Sequence, residues 1–437
     1  MARLNCPVCS IALDTKGYYI PGMRSLAALC CRECGREFYA DLPAGHGLYY
    51  PMLLDRKTGL VSNSSGVGWF AEWLERSYRE RRYEKSNLEI EVLATKSKVI
   101  LINCLDKVFG HSMLKLLNAQ YYIDNEPDKG VAVLIPSSLR WMVPDGVAEV
   151  WAVNQTFRNG TCWNDALAED IQANIERFTE CWLSPAFSHP HPSEYSIQRF
   201  TKVAPFPLDE WDARLDVPKI TFIWRSDRLW TDKRVSRTGI VVRIIRKASQ
   251  LFPFLKRRNL KRETQAIKEF AATLKQQVPS LNFAVAGFGE PGGLPLWIED
   301  MRSNAPDVSI EKKWCRRYAD SHVVIGVCGS NMLLPSAHAG ATIDLMPDNK
   351  WWNLAQDLLL RVDDQRETLF HYRLIPASVS AKSLAKISAI ALFDRTHHLV
   401  TMKKGFCDLS LSRKQSEWSV ESKRGQNILL RAPHIDG

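Results

Sequence analysis

Residues 322–345, HVVIGVCGSNMLLPSAHAGATIDL, decide the fold. His322–Val327 is too short for a helix of its own and is rich in β-branched residues, so it reads as a buried strand. Gly329, Ser330 and Asn331 break it. Met332 to His338 can form a helical turn, and Gly340 stops that turn before a second strand at Ala341–Leu345. A strand, a small-residue turn and a helix start make an anion site, because unpaired backbone N–H groups point out of a first helical turn.

The same alternation extends outward. KITFIW at Lys219–Trp224, a helix over Glu263–Gln277 and a strand at Asn282–Ala286 lead into it. An earlier block repeats the pattern, with strands at Lys98–Asn103, Val131–Ile135 and Ala148–Val153, a helix after VFGHSMLKLLN, and a long helix around Asn164–Cys181. Short strand–helix–strand units predict parallel sheets with helices on both faces. Residues 184–218 hold six prolines and little periodicity, which marks a connection. The expected architecture is α/β, with two Rossmann-like domains at 61–200 and 215–365 facing a cleft. A small module at 1–60 precedes them, and a tail at 366–437 packs back on them.

That module carries Cys6 and Cys9 in CPVC, and Cys31 and Cys34 in CREC, with 21 residues between the pairs. Each pair can sit on a tight turn and present two thiolates, so four close a tetrahedron around Zn²⁺, as in a zinc ribbon. Cys30 adjoins Cys31, but CREC keeps the two-residue gap and favours Cys31. Four thiolates leave no open position, so the expected metal is structural, with no catalytic metal. The segment DLPAGHGLYYPMLLDRKTGLV, 41–61, reads as a hairpin-rich bridge. The remaining seven of the eleven cysteines read as thiols of a reducing compartment.

The 437 residues are 45% apolar and 24% charged, as in a globular protein, and no apolar run is long enough for a membrane span. MARLNCPVC lacks an apolar signal core, so a cytoplasmic location is expected. Net charge is +10, with twelve Lys or Arg and one acid between Arg228 and Arg262, which calls for an acidic partner. Within it, RIIRKASQLFPFLKRR, 243–258, sets apolar side chains among six cations. That is the profile of a segment touching an anionic membrane, peripheral to its inner face. AGFGEPGG, 286–293, has glycines without G-x-G-x-x-G spacing, which argues against an NAD enzyme. Walker A, G-x-S-x-G and H-E-x-x-H are all absent, which removes the usual support for a kinase, serine hydrolase or zinc protease.

Chemistry concentrates at the strand ends. His111, opening a helix, can serve as general base on an acceptor hydroxyl, and Asp106 in the same loop is a second candidate. In WRSDRLW, Arg225 follows a strand and suits a diphosphate, with Asp227 to orient it and Arg228 beside it. WRSDR resembles the His-x-Arg-Arg-x-Asp-Lys motif of the fucosyltransferase superfamily, with Trp224 or Ile223 where the motif has His. GVCGSNMLLPSAHAG is similar to the G-x-H-G-A-x-L turn of family-61 glycosyltransferases, with Cys328 and Ser330 replacing its His and Ala. The resemblance covers about residues 95–360. It implies a GT-B-type glycosyltransferase that binds the diphosphate of a nucleotide sugar through Arg225 and the amides of Gly329, Ser330 and Asn331. His338 stands as a further donor contact. The acceptor, a glycan or lipid-linked glycoconjugate, comes from the first block. Competing readings are a zinc-ribbon nucleic-acid-binding protein, which the scarcity of aromatics in the basic stretch disfavours, and a nucleotide-sugar-processing enzyme such as an epimerase.

Overall fold

The computed structural model describes residues 4–63, 68–231, 253–353, 356–362, 365–395, 409–414, 417–422 and 427–431. Most of the basic stretch 243–258, and with it the expected membrane contact, lies outside them. Only its end is described, where Pro253 starts the helix Pro253–Gln277. A proline fits there because a first-turn residue has no intrahelical use for its N–H. No helix among the described residues is long and apolar enough to cross a membrane.

The chain forms two compact units, Met1–Leu392 and Phe393–Gly437. The second holds a three-stranded antiparallel sheet, Leu409–Lys414, Glu417–Ser422 and Asn427–Arg431. The first unit contains three sheets.

Its N-terminal sheet is an antiparallel meander of β1 (Leu13–Tyr19), β2 (Leu26–Cys31), β3 (Glu37–Asp41), β4 (Met52–Asp55) and β5 (Val61–Asn63). The helix Gly68–Arg79 covers it, burying Phe70, Leu74 and Tyr78 against Leu26, Tyr39, Met52 and Leu54. Those three side chains recur every fourth residue, so they share one helix face, and each contributes about 1.5–3 kcal/mol of burial. This helix packs with the meander, past the expected boundary at residue 60.

The next sheet has the order β10-β7-β8-β9-β6, from β6 (Leu88–Val92), β7 (Lys98–Asn103), β8 (Gly130–Pro136), β9 (Glu149–Val153) and β10 (Glu180–Leu183). Its strands are parallel except β6, which runs antiparallel to β9. The helix expected over Asn164–Cys181 ends at Ile175. Glu180–Leu183 pairs with Lys98–Leu101 instead, because the exposed side of β7 still had ladder groups to satisfy.

The third sheet is wholly parallel: β11 (Lys219–Arg225), β12 (Asn282–Phe288), β13 (Ile298–Ser303), β14 (Val323–Val327), β15 (Ala341–Met346) and β16 (Tyr372–Pro376). Its order is β13-β12-β11-β14-β15-β16, which in chain order is the doubly wound 3-2-1-4-5-6 of a Rossmann fold. The four central strands are almost continuously buried, as a sheet covered on both faces requires. β16 lies beyond residue 365, where the sequence places the end of this domain. The helix Ala381–Phe393 then closes the same core through Leu384, Ala385 and Leu392. Two Rossmann-like halves with an N-terminal cysteine-bearing sheet are thus the architecture, the α/β class expected.

Candidate active site

In a 3-2-1-4-5-6 sheet the crevice for ligands opens at the carboxyl ends of the two strands where the winding reverses. Here those are β11 and β14, paired from Ile220↔Val323 to Ile223↔Gly326. β11 ends on Arg225, and β14 runs into Cys328 and Gly329. Arg225 donates from Nε and Nη2 to the two carboxylate oxygens of Asp227 at 2.8 and 2.6 Å, and from Nη1 to Asn331 Oδ1 at 2.8 Å. Arg228 donates to the Cys328 carbonyl. Among the described residues, three of the five Arg225 N–H groups are engaged, which leaves two. Burial pushes the Asp227 carboxyl up, but Arg225 and Arg228 outweigh it and hold it below the usual range. Gly329 has φ +144°, and a Cβ there would collide with both guanidinium groups and Asn331. Only glycine lets the two arginines converge. Arg225, Asp227, Arg228, Gly329 and Asn331 therefore form one cluster, with Ser330 on its rim.

The first half meets this cluster at Gly110, where a Cβ would lie 2.6 Å from Ser330 Cβ and 2.9 Å from Leu333 Cδ1. Gly110 opens the helix Phe109–Asn125, and His111 follows it. Asp106, after the end of β7, has no exposed side-chain surface and gathers four donors. They are Lys115 Nζ at 3.0 Å, the Val108 N–H at 3.2 Å, His46 Nε2 at 3.2 Å and His111 Nδ1 at 3.3 Å. Burial raises the Asp106 carboxyl, yet Lys115 and the two imidazoles hold it well below the carboxylate norm. Burial also lowers His46 from its ordinary value, against the pull of Asp106. His111 is the most open of the three, 43% exposed against 21% for His46.

His46 is the residue that sequence reasoning misses. It lies in the segment read as a bridge, on the short turn Gly45–Leu48, which the Gly45 N–H fixes to the Pro185 carbonyl at 2.8 Å. The only local signal is a histidine between two glycines. His46, Asp106 and His111 can bring ligand atoms within 4.8 Å of one another, as a metal site would. The Lys115 ammonium already fills the cationic place beside the carboxylate, so the set fits an oriented imidazole better than a divalent ion.

Asp344 and Asp357 were not anticipated either. Asp344 is 2% exposed on β15, and its Oδ1 has no hydrogen-bond partner among the described residues. Burial and Asp357 push its carboxyl well up, against Arg228. Asp357 is itself raised by burial, while Arg228, Lys350, Arg225 and His111 draw it down, so groups from both halves reach it. His338 sits elsewhere. It is fully buried, bonded to Thr201 Oγ1 at 2.9 Å and the Leu334 carbonyl at 2.8 Å. Both ring nitrogens are occupied within the core, which corrects its expected place among the donor contacts.

The four cysteines close at the other end of the meander. Cys6 Sγ lies 3.6 Å from Cys34 Sγ, and Cys9 Sγ 3.3 Å from Cys31 Sγ. The two turns repeat each other. Ser10 and Gly35, each just after a pair, have φ +62° and +67°. Each donates its N–H to the carbonyl of the pair's first cysteine at 2.9 Å. Sγ of Cys6 accepts from the N–H groups of Cys9 and Val8, as that of Cys31 does from Cys34 and Glu33. The Cys34 N–H, working against burial, brings the Cys31 thiol down to about 7. Cys30 bonds the Cys31 carbonyl and stays outside the cluster.

No family model matches this chain. No curated protein matches it. Among solved structures, three chains match. One is a Listeria monocytogenes protein proposed to be a UDP-N-acetylglucosamine 2-epimerase. It is 10% identical, with a TM-score of 0.33 over 70% of this chain and 89% of that one. The fold assignment rests on strand order and not on that likeness.

Proposed function

We propose that this protein acts on a nucleotide sugar, as a glycosyltransferase of GT-B architecture passing the sugar to an acceptor hydroxyl. One observation carries the reading. A two-arginine cluster sits at the winding reversal of a 3-2-1-4-5-6 sheet and faces a carboxylate-oriented histidine across the contact of Gly110 with Ser330. Arg225, held by Asp227 and Asn331, keeps two N–H groups for phosphate oxygens, and Arg228 adds a second cation. The N–H groups of Ser330 and Asn331 lie beside them. These donors stabilise charge as it develops on the leaving nucleoside diphosphate. His111 donates Nδ1–H to Asp106 and keeps Nε2 free to take the proton of the attacking hydroxyl. The acceptor oxygen then bonds the anomeric carbon as the bond from that carbon to the diphosphate oxygen breaks. Asp106 stays ionised and positions the imidazole, and His46 closes the far side of the carboxylate.

The cysteine cluster fits Zn²⁺. Four sulfurs, a repeated turn and backbone N–H groups directed at sulfur are the donor set of a closed structural site. Cys6, Cys9, Cys31 and Cys34 would hold the ion, which supplies a covalent-like staple and no chemistry at the crevice. The test of the function is turnover. UDP-, GDP- and CMP-sugars are screened for thermal stabilisation, and the best one is assayed with and without acceptor. Acceptor-dependent release of nucleoside diphosphate supports transfer, with His111→Ala about 10²–10⁴-fold slower. Isomerisation of the sugar without acceptor would instead make the protein an epimerase.

A further inference from the structure

The helix Gly68–Arg79 turns Phe70, Leu74 and Tyr78 onto the meander, and Trp69 and Trp73, one turn apart, share the adjoining stripe. The buried stripe already covers the sheet, yet Trp69 stands 49% exposed beside it. We infer that Trp69 and Trp73 form a stacking platform for a sugar ring of the acceptor, which is therefore an oligosaccharide held by the N-terminal sheet and its helix. The inference rests on the transfer reading of the crevice and adds to it the class of acceptor.

Shape is the first support. The Trp69 indole stacks on Phe70 with ring centroids 3.8 Å apart and planes inclined by 28°, so one face is covered and the exposure belongs to the other. Trp73 stands edge-on to it at 4.7 Å and 77°, which makes a corner of two indoles. Position is the second. Phe70 meets the His46 ring at 4.8 Å, and His46 meets the His111 ring at 5.8 Å. Independently, the Lys107 ammonium lies over Trp73, 2.9 Å from the ring centroid, and Lys107 directly follows Asp106. Two separate contacts thus tie the platform to the loop that carries the proposed base. Three ring contacts lead from Trp69 to His111, so a sugar stacked on Trp69 is a neighbour, along the same chain, of the one whose hydroxyl His111 deprotonates. Chemistry is the third. Glu72 and Arg76 are exposed three and seven residues after Trp69, on the same side of the helix, and neither has an ion-pair partner among the described residues. A pyranose presents C–H bonds on its faces and hydroxyls around its rim. The face suits an indole, and the rim suits a carboxylate that accepts and a guanidinium that donates. A lipid tail would strip water from both charges and return nothing, and a nucleic acid would set its phosphates against Glu72.

Calorimetry and saturation-transfer NMR on the full chain test this, with gluco-, manno-, galacto-, xylo- and chito-oligosaccharides of increasing length, and with oligo(U) as the nucleic-acid probe. One sugar series is expected to bind, and more tightly as it lengthens. Trp69→Ala should weaken its longer members about tenfold, and Trp69→Phe should restore most of that. Glu72→Gln, which leaves the packing alone, should weaken them severalfold. In turnover, Trp69→Ala should raise KM for the long acceptor and leave KM for the single sugar, and nucleotide-sugar affinity, as they were. If no series binds, or if both Trp69→Ala and Glu72→Gln bind it as the wild type does, the inference fails. If oligo(U) binds in place of the sugars and Trp69→Ala loses it, the platform stacks bases and the inference is overturned. If sugar binding depends on Trp69 but no nucleotide sugar is turned over, the transfer reading fails and the platform stands.

Discussion

Lys115 settles what kind of group Asp106 is. Its ammonium, 2% exposed, donates to Asp106 and to the Leu105 carbonyl at 3.0 and 3.1 Å. Taking it away leaves a carboxylate with no exposed surface beside two imidazoles. Lys115→Met is therefore expected to cost about 3–5 kcal/mol, read as a fall in the urea midpoint. An unchanged midpoint would show that the histidines alone compensate the charge. Arg225 is the opposite case. Its partner Asp227 is 66% exposed and keeps water and Arg228 when the arginine is gone. Arg225→Ala should weaken nucleotide binding by about 1.5–3 kcal/mol and barely move the melting temperature. A lower melting temperature with undiminished affinity would reduce Arg225 to one half of a structural ion pair.

At the scale of elements, the meander is where the cysteine cluster and the crevice connect. Cys31 ends β2, Asp41 ends β3 with its carboxylate 2.7 Å from Arg24, and the His46 turn follows at once. Cys6→Ser, or removal of zinc by a chelator, should release His46 from Asp106. Expected are loss of one zinc per chain by elemental analysis and a fall in turnover, with nucleotide affinity retained because the third sheet carries it. Zinc-free protein with full turnover would separate the two. Much of this was legible locally. Cysteine spacing gave the four sulfurs, β-branched runs gave β7, β8, β11 and β14, and Arg225 and Gly329 stood out as strand-end residues. What escaped was set by distance along the chain. His46 and Asp106 are sixty residues apart, and nothing near either announces the other. β13, IEDMRS, was missed because an edge strand with few β-branched residues has no apolar run to show. His338 was misjudged for the converse reason: a helix start was visible, but not that Thr201 would reach its ring.

For the whole molecule, two buried histidines set the acid limit. Burial lowers both His322 and His338 to about 4 from 6.5. The unfolded chain takes up these protons near pH 6.5 and the folded one only near pH 4, so stability falls as pH drops through that window and is complete above it. Each contributes at most about 3 kcal/mol. The urea midpoint should be lower at pH 5 than at pH 7, and His338→Gln should flatten that difference whatever it does to the midpoint itself. A pH-independent midpoint over this range would place the acid sensitivity elsewhere. The closeness of the two halves is the second global property, since Gly110 leaves no space for a methyl group against Ser330. Gly110→Val should wedge them apart, slowing turnover with little loss of nucleotide affinity, and small-angle scattering would register the expansion. The Cys9–Cys31 approach has one more consequence. Two sulfurs 3.3 Å apart need little movement to join when no ion holds them, so chelation followed by peroxide is expected to link Cys9 to Cys31. A Cys9–Cys31 disulfide, read by mass spectrometry of peptides after chelation and oxidation, would leave the cluster two of its four ligands and no way to take an ion back.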